Sequence, residues 1–453
     1  QLIGEWCDIW LRRDSIFVAG VRVSAGLFKF PQCVPEGETR RMPGTTVEIA
    51  PNRHIVRVDG VTLSAYTGYQ HPWMSITALS RLGVHCRRAA FDAGWLASAE
   101  GASIFSVAND THTRFLIPSV LSSASGSNNP SPVPQLQTVF IVAMHVELAN
   151  PQTPVVISNL DTGMAELYVS SVGSSSFGLG GRFYRKGRRG VSSVAEDADD
   201  VLLGSVLLSY VHIDWATRRP TPLPMGLRRV LQVSQQFADE VMCRQVFTMP
   251  TTRLPSHDVI SSLRSGGAAS HTRMFTLRPS DYDFNLHLNQ SLYSTFVVDT
   301  LKEAMLFWLT GRRLHDTTVE GTSLAVAPCE ELEGVRRWIF QHMVPSDDHD
   351  DGRSQDVWLD TCAKDPGWRD RVTRWILQSD SWITSFKIEF MKEVTFPDYG
   401  SIRTSTLTFP SICASVLPHV DETATMREVW FGVFSEDFQT AHCIGAMLLQ
   451  AKR

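Results

Sequence analysis

The 453-residue chain carries 42 Lys and Arg against 47 Asp and Glu, a net charge of −5, with 43% hydrophobic and 20% charged residues. At roughly 100–200 residues per domain this length calls for two or more domains, and the composition is that of a globular chain rather than a disordered one. Without a global basic field direct nucleic-acid binding is disfavoured, and with no run of about 18 apolar residues no membrane span is predicted.

Residues 71–94 place Ile76, Leu79, Leu82, Cys86, Ala89 and Ala90 at helical spacing, with Pro72 suited to the first turn and Gly94 to the stop. The Pro-, Ser-, Gly- and Asn-rich residues 118–134 read as a surface loop. Strands are predicted over 138–148, 155–171, 176–184 and 201–214, where apolar residues alternate or run continuously between turn residues. The same order then recurs. A strand at 271–277 precedes a helix at 292–308, whose Leu292, Phe296, Val297, Leu301, Ala304, Met305 and Trp308 share a face. Further strands are expected at 382–394, 401–409, 425–434 and 441–451. Each half thus reads helix first and antiparallel strands afterwards, an α+β chain with two sheets, each wrapped around a central helix. The expected division is an N-terminal domain over 1–230, a linker over 231–267 and a C-terminal domain over 268–453.

Residues 310–380 form an insertion far beyond ordinary connection length, with helix-like pieces at 330–342 and 368–377. Its acidic run, including Asp347, Asp348, Asp350 and Asp351, lacks the alternation and closing glutamate of a calcium loop and reads as a solvated loop. The Arg-rich residues 182–189 form either another solvated loop or a contact for a phosphate or an acidic partner. Eight scattered cysteines, with no paired spacing, fit a reducing compartment and supply no zinc site. The chain begins at Gln1, which implies either a removed leader or numbering that starts inside the gene. The glycines and serines of 173–181 match neither a nucleophile elbow nor a phosphate loop, so they read as a hairpin turn, and no nucleotide, metal or other cofactor is expected.

The stretch RPSDYDFNLHLNQSLY at 278–293 is the most informative. Asp283, Asn285 and His287 alternate immediately before the helix, where free backbone N–H groups and the positive end of the helix dipole suit a carbonyl oxygen that gains negative charge. Asn285 could donate to that oxygen while Asp283 and His287 handle a water and its proton. The competing reading is structural: Asp283 and Asn285 cap the helix, and His287 is an interior histidine.

This segment resembles the D-x-N-x-H signature that opens the central helix in the catalytic half of acyl-acyl-carrier-protein thioesterases, which are double-hotdog enzymes. A second likeness lies in SFKIEFMKEV at 385–394, where the family places a glutamate beside a cysteine: Glu393 is kept, and Val394 stands in the cysteine's place. VHIDWATRRPTPLPMGLR at 211–228 resembles the way a hotdog thioesterase domain ends, whereas the first helix entry, SAYTGYQHPWMS at 64–75, lacks the signature. The resemblance implies a tandem double hotdog whose first half lodges the acyl chain. It also implies that Asp283, Asn285, His287 and Glu393 hydrolyse a fatty acyl thioester of acyl carrier protein or coenzyme A, in an organelle matrix such as that of a mitochondrion or plastid. The alternative is a catalytically inactive, thioesterase-like structural subunit or assembly factor of a large organellar complex such as a mitochondrial ribosome, meeting its protein partners through 310–380.

Overall fold

In the computed structural model, the described residues are 15–18, 21–24, 45–49, 55–67, 73–96, 137–150, 155–187, 200–214, 217, 219–242, 254–265, 269–282, 287–310, 334–336, 338–339, 373, 376, 382–395, 410–420 and 426–449. Two compact units divide the chain. In the first, Gln1–Gly44, strands β1 (Ser15–Val18) and β2 (Val21–Ser24) pair antiparallel.

The second unit, Thr45–Arg453, is built on one antiparallel sheet. Strands β3 (Thr46–Ile49) and β4 (Ile55–Thr62) lead into helix α1 (Ile76–Asp92). Strands β5 (Gln137–Leu148), β6 (Thr162–Val172), β7 (Ser176–Arg185) and β8 (Val201–Asp214) follow. Helices α2 (Met225–Met242) and α3 (His257–Ser265) then bridge to β9 (His271–Thr276) and α4 (Gln290–Thr310). The chain closes with β10 (Ile383–Phe390), β11 (Ser411–Val420), β12 (Met426–Ser435) and β13 (Ala441–Leu449).

The strand order is β3-β4-β6-β7-β8-β5-β10-β13-β12-β11-β9. Around the β5–β10 junction, β4-β6-β7-β8-β5 is mirrored by β9-β11-β12-β13-β10, and each set surrounds one long helix. The two sheets of a tandem double hotdog, expected to pair edge to edge, are therefore corrected to one continuous sheet. An edge strand carries unpaired N–H and C=O groups, and those of β5 and β10 satisfy one another from Ser385↔Glu147 to Glu389↔Ala143. At this seam the Met144, Val146 and Phe386 side chains enter the core. Their alternating neighbours on the opposite face are polar, and His145 Nε2 lies 2.8 Å from Ser385 Oγ. Burial, with the Lys387 charge adding to it, pushes the His145 imidazole down to about 4.

Local chemistry explains the helix ends. Ser75 Oγ accepts the Ala78 N–H at 3.2 Å, so α1 starts at Ile76, and Pro72 lies outside the described residues. At the other end Gly94 has φ 89°, and the Trp95 N–H reaches back to the Ala90 carbonyl at 3.0 Å, the left-handed stop that glycine permits. Helix α4 is enclosed on more than the single face expected: Tyr293, Val298, Leu306 and Phe307 are buried along with Val297, Leu301, Met305 and Trp308. Trp308 Nε1 donates to the Ala269 carbonyl at 3.0 Å, which lets the ring sit wholly inside.

Several strand boundaries differ from the sequence reading. Residues 155–161 form a bridge and a turn instead of the start of β6, and residues 173–175 alone make the β6–β7 hairpin turn. The segment 401–409, expected as a strand, lies outside the described residues, while β11 at Ser411–Val420 was not foreseen. Pro418 hides it, since proline cannot complete a two-sided ladder. The β9 partner stops at Val416, so Pro418 pairs only with Val429 of β12. The expected loop at 118–134 and the acidic run lie outside the described residues. Within the insertion, residues 334–336, 338–339, 373 and 376 are helical. Val335, Trp338, Ile339 and Ile376 of that insertion belong to the main core.

Candidate active site

The strand–helix junction before α4 is held by backbone bonds. The Asn289 N–H donates to the Asp281 carbonyl at 2.9 Å, and Tyr282 bridges Leu288, so the chain before and after residues 283–286 is held together. His287 and Leu288 are tied to the segment after β10, with His287 bridging Thr395 and the Leu288 N–H donating to the Val394 carbonyl at 2.8 Å. Helix α4 is capped by Asn289, whose Oδ1 accepts the Ser291 N–H at 3.1 Å and the Ser291 hydroxyl at 3.0 Å.

That tie brings two of the four expected residues together. His287 Nε2 lies 3.5 Å from Glu393 Oε2, with side chains 19% and 31% exposed, so the pair is partly shielded yet reachable by solvent. A carboxylate beside an imidazole in this setting can hold a water and pass its proton. Asp283 and Asn285 lie outside the described residues. Val394 is buried and contributes its carbonyl to the tie, which explains how a valine serves at a position where the family resemblance has a thiol.

Four aromatic neighbours, Phe140, Tyr282, Tyr293 and Phe390, were given no role in the sequence reading. The Phe140 ring of β5 lies 6.0 Å from the His287 ring, so the first half of the sheet forms one wall. Tyr293, one turn into α4, stands edge-on to Phe390 at 5.3 Å. Its phenol is pushed well above the ordinary value by burial, and the nearby Cys443, Glu393 and Tyr282 groups add to this while the Val394 backbone opposes it. Tyr282 is raised to about 12, first by burial and then by the Asp281 charge. Both tyrosines therefore stay protonated as potential donors. Tyr293 was signalled by its place one turn after the motif, whereas Phe140 is distant in sequence and no local spacing could find it.

The first half repeats this backbone device without its side chains. The Met74 N–H donates to the Val155 carbonyl at 3.2 Å, and Trp73 bridges Val156. Matching these bonds to those of Leu288, Val394, His287 and Thr395 puts Trp73 where the second half has His287. The residue before Val155 is Pro154, where the second half has Glu393. The chemistry-bearing pair is thus present on one side only.

A long helix enclosed by an antiparallel sheet, with this strand order, fits a hotdog fold. Among solved structures, a 12:0-ACP thioesterase from Umbellularia californica is similar at 12% identity, TM-score 0.46, over 88% of this chain and 95% of that one. An acyl-ACP thioesterase from Bacteroides thetaiotaomicron is similar at 11% identity, TM-score 0.43, over 88% and 99%. No family model matches the sequence. No curated protein matches it either.

Proposed function

We propose that this chain hydrolyses fatty acyl thioesters, of acyl carrier protein or coenzyme A, to the free acid on a tandem double-hotdog scaffold. Residues 1–230 supply the half that lodges the chain, 231–267 the link and 268–453 the catalytic half. The observation that carries the reading is the His287–Glu393 contact at the entry to α4, in the half that bears the D-x-N-x-H signature. In the proposed reaction the Glu393 carboxylate, with His287, takes a proton from water as the water oxygen adds to the thioester carbonyl carbon. Asn285 and the start of α4 receive the charge on the carbonyl oxygen. Asp283 holds the water. When the carbonyl re-forms, the C–S bond breaks and the thiolate leaves with a proton. No thiol in the protein is required, which accommodates Val394. The compartment that goes with this chemistry is an organelle matrix, mitochondrial or plastid.

The test is thiol release from a chain-length series of acyl-carrier-protein and coenzyme A thioesters. Glu393→Gln and Asp283→Asn should each lower the rate by about 10²–10⁴-fold, the usual worth of a positioned acid or base. Full activity in either variant refutes the assigned roles, and silence of the folded wild type across the panel refutes the enzyme reading.

A further inference from the structure

Beyond Phe390, the last residue of β10, the segment that carries Glu393 is steered by one residue of β13. The Met391 and Lys392 N–H groups both donate to the His442 carbonyl, at 2.8 and 3.2 Å, so two residues of one chain oppose one of the other, as at a β-bulge. The His442 side chain returns a bond, its Nδ1 lying 3.2 Å from the Lys392 carbonyl oxygen. A carbonyl only accepts, so Nδ1 carries the proton. Burial holds the imidazole below its ordinary value, the bond to Lys392 opposing this and the Lys392 charge adding to it, so the ring donates as a neutral group at neutral pH. On the other side of Glu393, the Val394 carbonyl accepts the Leu288 N–H at 2.8 Å. Glu393 therefore stands between two pinned carbonyls.

The first half has the backbone bond without the ring. Leu148 of β5 pairs with Gly204 of β8 as Phe390 pairs with Cys443, and the next N–H, of Ala149, donates to the Leu203 carbonyl at 3.1 Å. His442 thus matches Leu203, a buried side chain with no hydrogen-bonding atom. A leucine satisfies the fold at this place, and an imidazole is costlier to bury unless its polar atoms are used. The histidine occurs in the half that bears the His287–Glu393 pair, the leucine in the half where Trp73 and Pro154 stand instead.

We infer that His442 is a positioning residue for the hydrolytic pair: its bond to the Lys392 carbonyl sets the orientation of the Lys392–Glu393 peptide and so aims the Glu393 carboxylate at His287. The positioning stands on these bonds, while its effect on turnover rests on the thioesterase reading. A bulge re-aims the side chains beside it, and a supporting bond is needed to hold one of them in a productive direction.

Crystal structures and kinetics of His442→Leu and His442→Asn decide the matter. Asparagine keeps an N–H close to the place of Nδ1, and leucine is the residue of the first half. The 3.5 Å contact between His287 Nε2 and Glu393 Oε2 should open in His442→Leu and persist in His442→Asn. With thioester substrate, His442→Leu should lower kcat by about 10²-fold, the cost of a group misplaced by about 1 Å, with KM unchanged, and His442→Asn should recover most of that loss. In a Glu393→Gln background His442→Leu should cost nothing further, because the two residues act as one unit; a merely structural role would slow both backgrounds alike. His442→Gln, whose amide lies one bond farther out, should match His442→Leu and serves where that variant fails to fold. An intact contact in His442→Leu overturns the positioning, whether or not the wild type hydrolyses a thioester. An opened contact with undiminished kcat, or an equal loss in the Glu393→Gln background, overturns the effect on turnover. Silence of the folded wild type across the thioester panel overturns the enzyme reading alone, and the variant structures still judge the positioning.

Discussion

Replacing Trp338 by alanine asks whether the 310–380 insertion is a detachable ornament or part of the core. Trp338 is 3% exposed and packs with Val335 and Ile339 in the main hydrophobic cluster, while Arg336 Nε donates to the Trp308 carbonyl at 2.6 Å, tying the insertion to the end of α4. Truncating a core Trp to Ala costs about 3–5 kcal/mol, the sum of lost transfer energy and the cavity left behind. With a urea dependence of about 3 kcal/mol per molar, the unfolding midpoint should fall by about 1 M or more. Leu160, 87% exposed, provides the control, and Leu160→Ala should cost less than about 0.5 kcal/mol. Urea unfolding followed by far-UV circular dichroism measures both. A Trp338→Ala midpoint no lower than that of Leu160→Ala would refute the placement of the insertion in the core. The expected result also means that deleting 310–380 removes core side chains, so loss of partner binding in such a deletion would not by itself reveal a docking surface.

The seam histidine gives a pH prediction. His145 has a folded value of about 4 against an ordinary 6.5, so it stays neutral in the fold while the unfolded chain takes up a proton. Stability is therefore complete above about pH 6.5 and declines as pH falls toward 4, by about 3 kcal/mol at 1.36 kcal/mol per unit; urea midpoints at about pH 7 and pH 4.5 should converge in His145→Asn and diverge in the wild type. Gly204→Ala should be strongly destabilising, by about 1–3 kcal/mol or more, because the added methyl meets the Glu147 carbonyl oxygen of the neighbouring strand, and a thermal melt within a degree of wild type would contradict it. Cys86, whose thiol burial raises to about 12, and Cys443, raised further still by burial, should resist iodoacetamide in the folded protein and label on unfolding, as read by peptide mass spectrometry.

Periodicity and turn residues located both long helices and most of the strands, because those signals are local. The boundary errors have local causes too. Ser75, rather than Pro72, marks where α1 begins. Pro418 masked β11, since whether proline is tolerated depends on how far the partner strand extends. The edge-to-edge pairing of the two expected sheets followed from the resemblance to a tandem double hotdog, but which strands meet did not, because no residue in β5 announces that its edge will meet β10. Within the site, His287 was legible from motif spacing and Glu393 only through the family resemblance, and the structure brings the two into contact. Phe140 became visible only through its ring contact with His287, and the loss of the pair at Trp73 and Pro154 only through backbone bonds between distant segments.

The β5–β10 junction also sets a schedule for synthesis. From Leu148 to Ile383 the ribosome must add 235 residues (383 minus 148) before the partner of β5 exists. At roughly 5–20 residues per second this leaves a long strand edge bare for tens of seconds. A nascent chain stalled in that window presents a template for pairing with its neighbours, so fragments ending before β10 should precipitate where the full chain stays in solution. In this protein the second half thus acts, during biogenesis, as the intramolecular chaperone of the first.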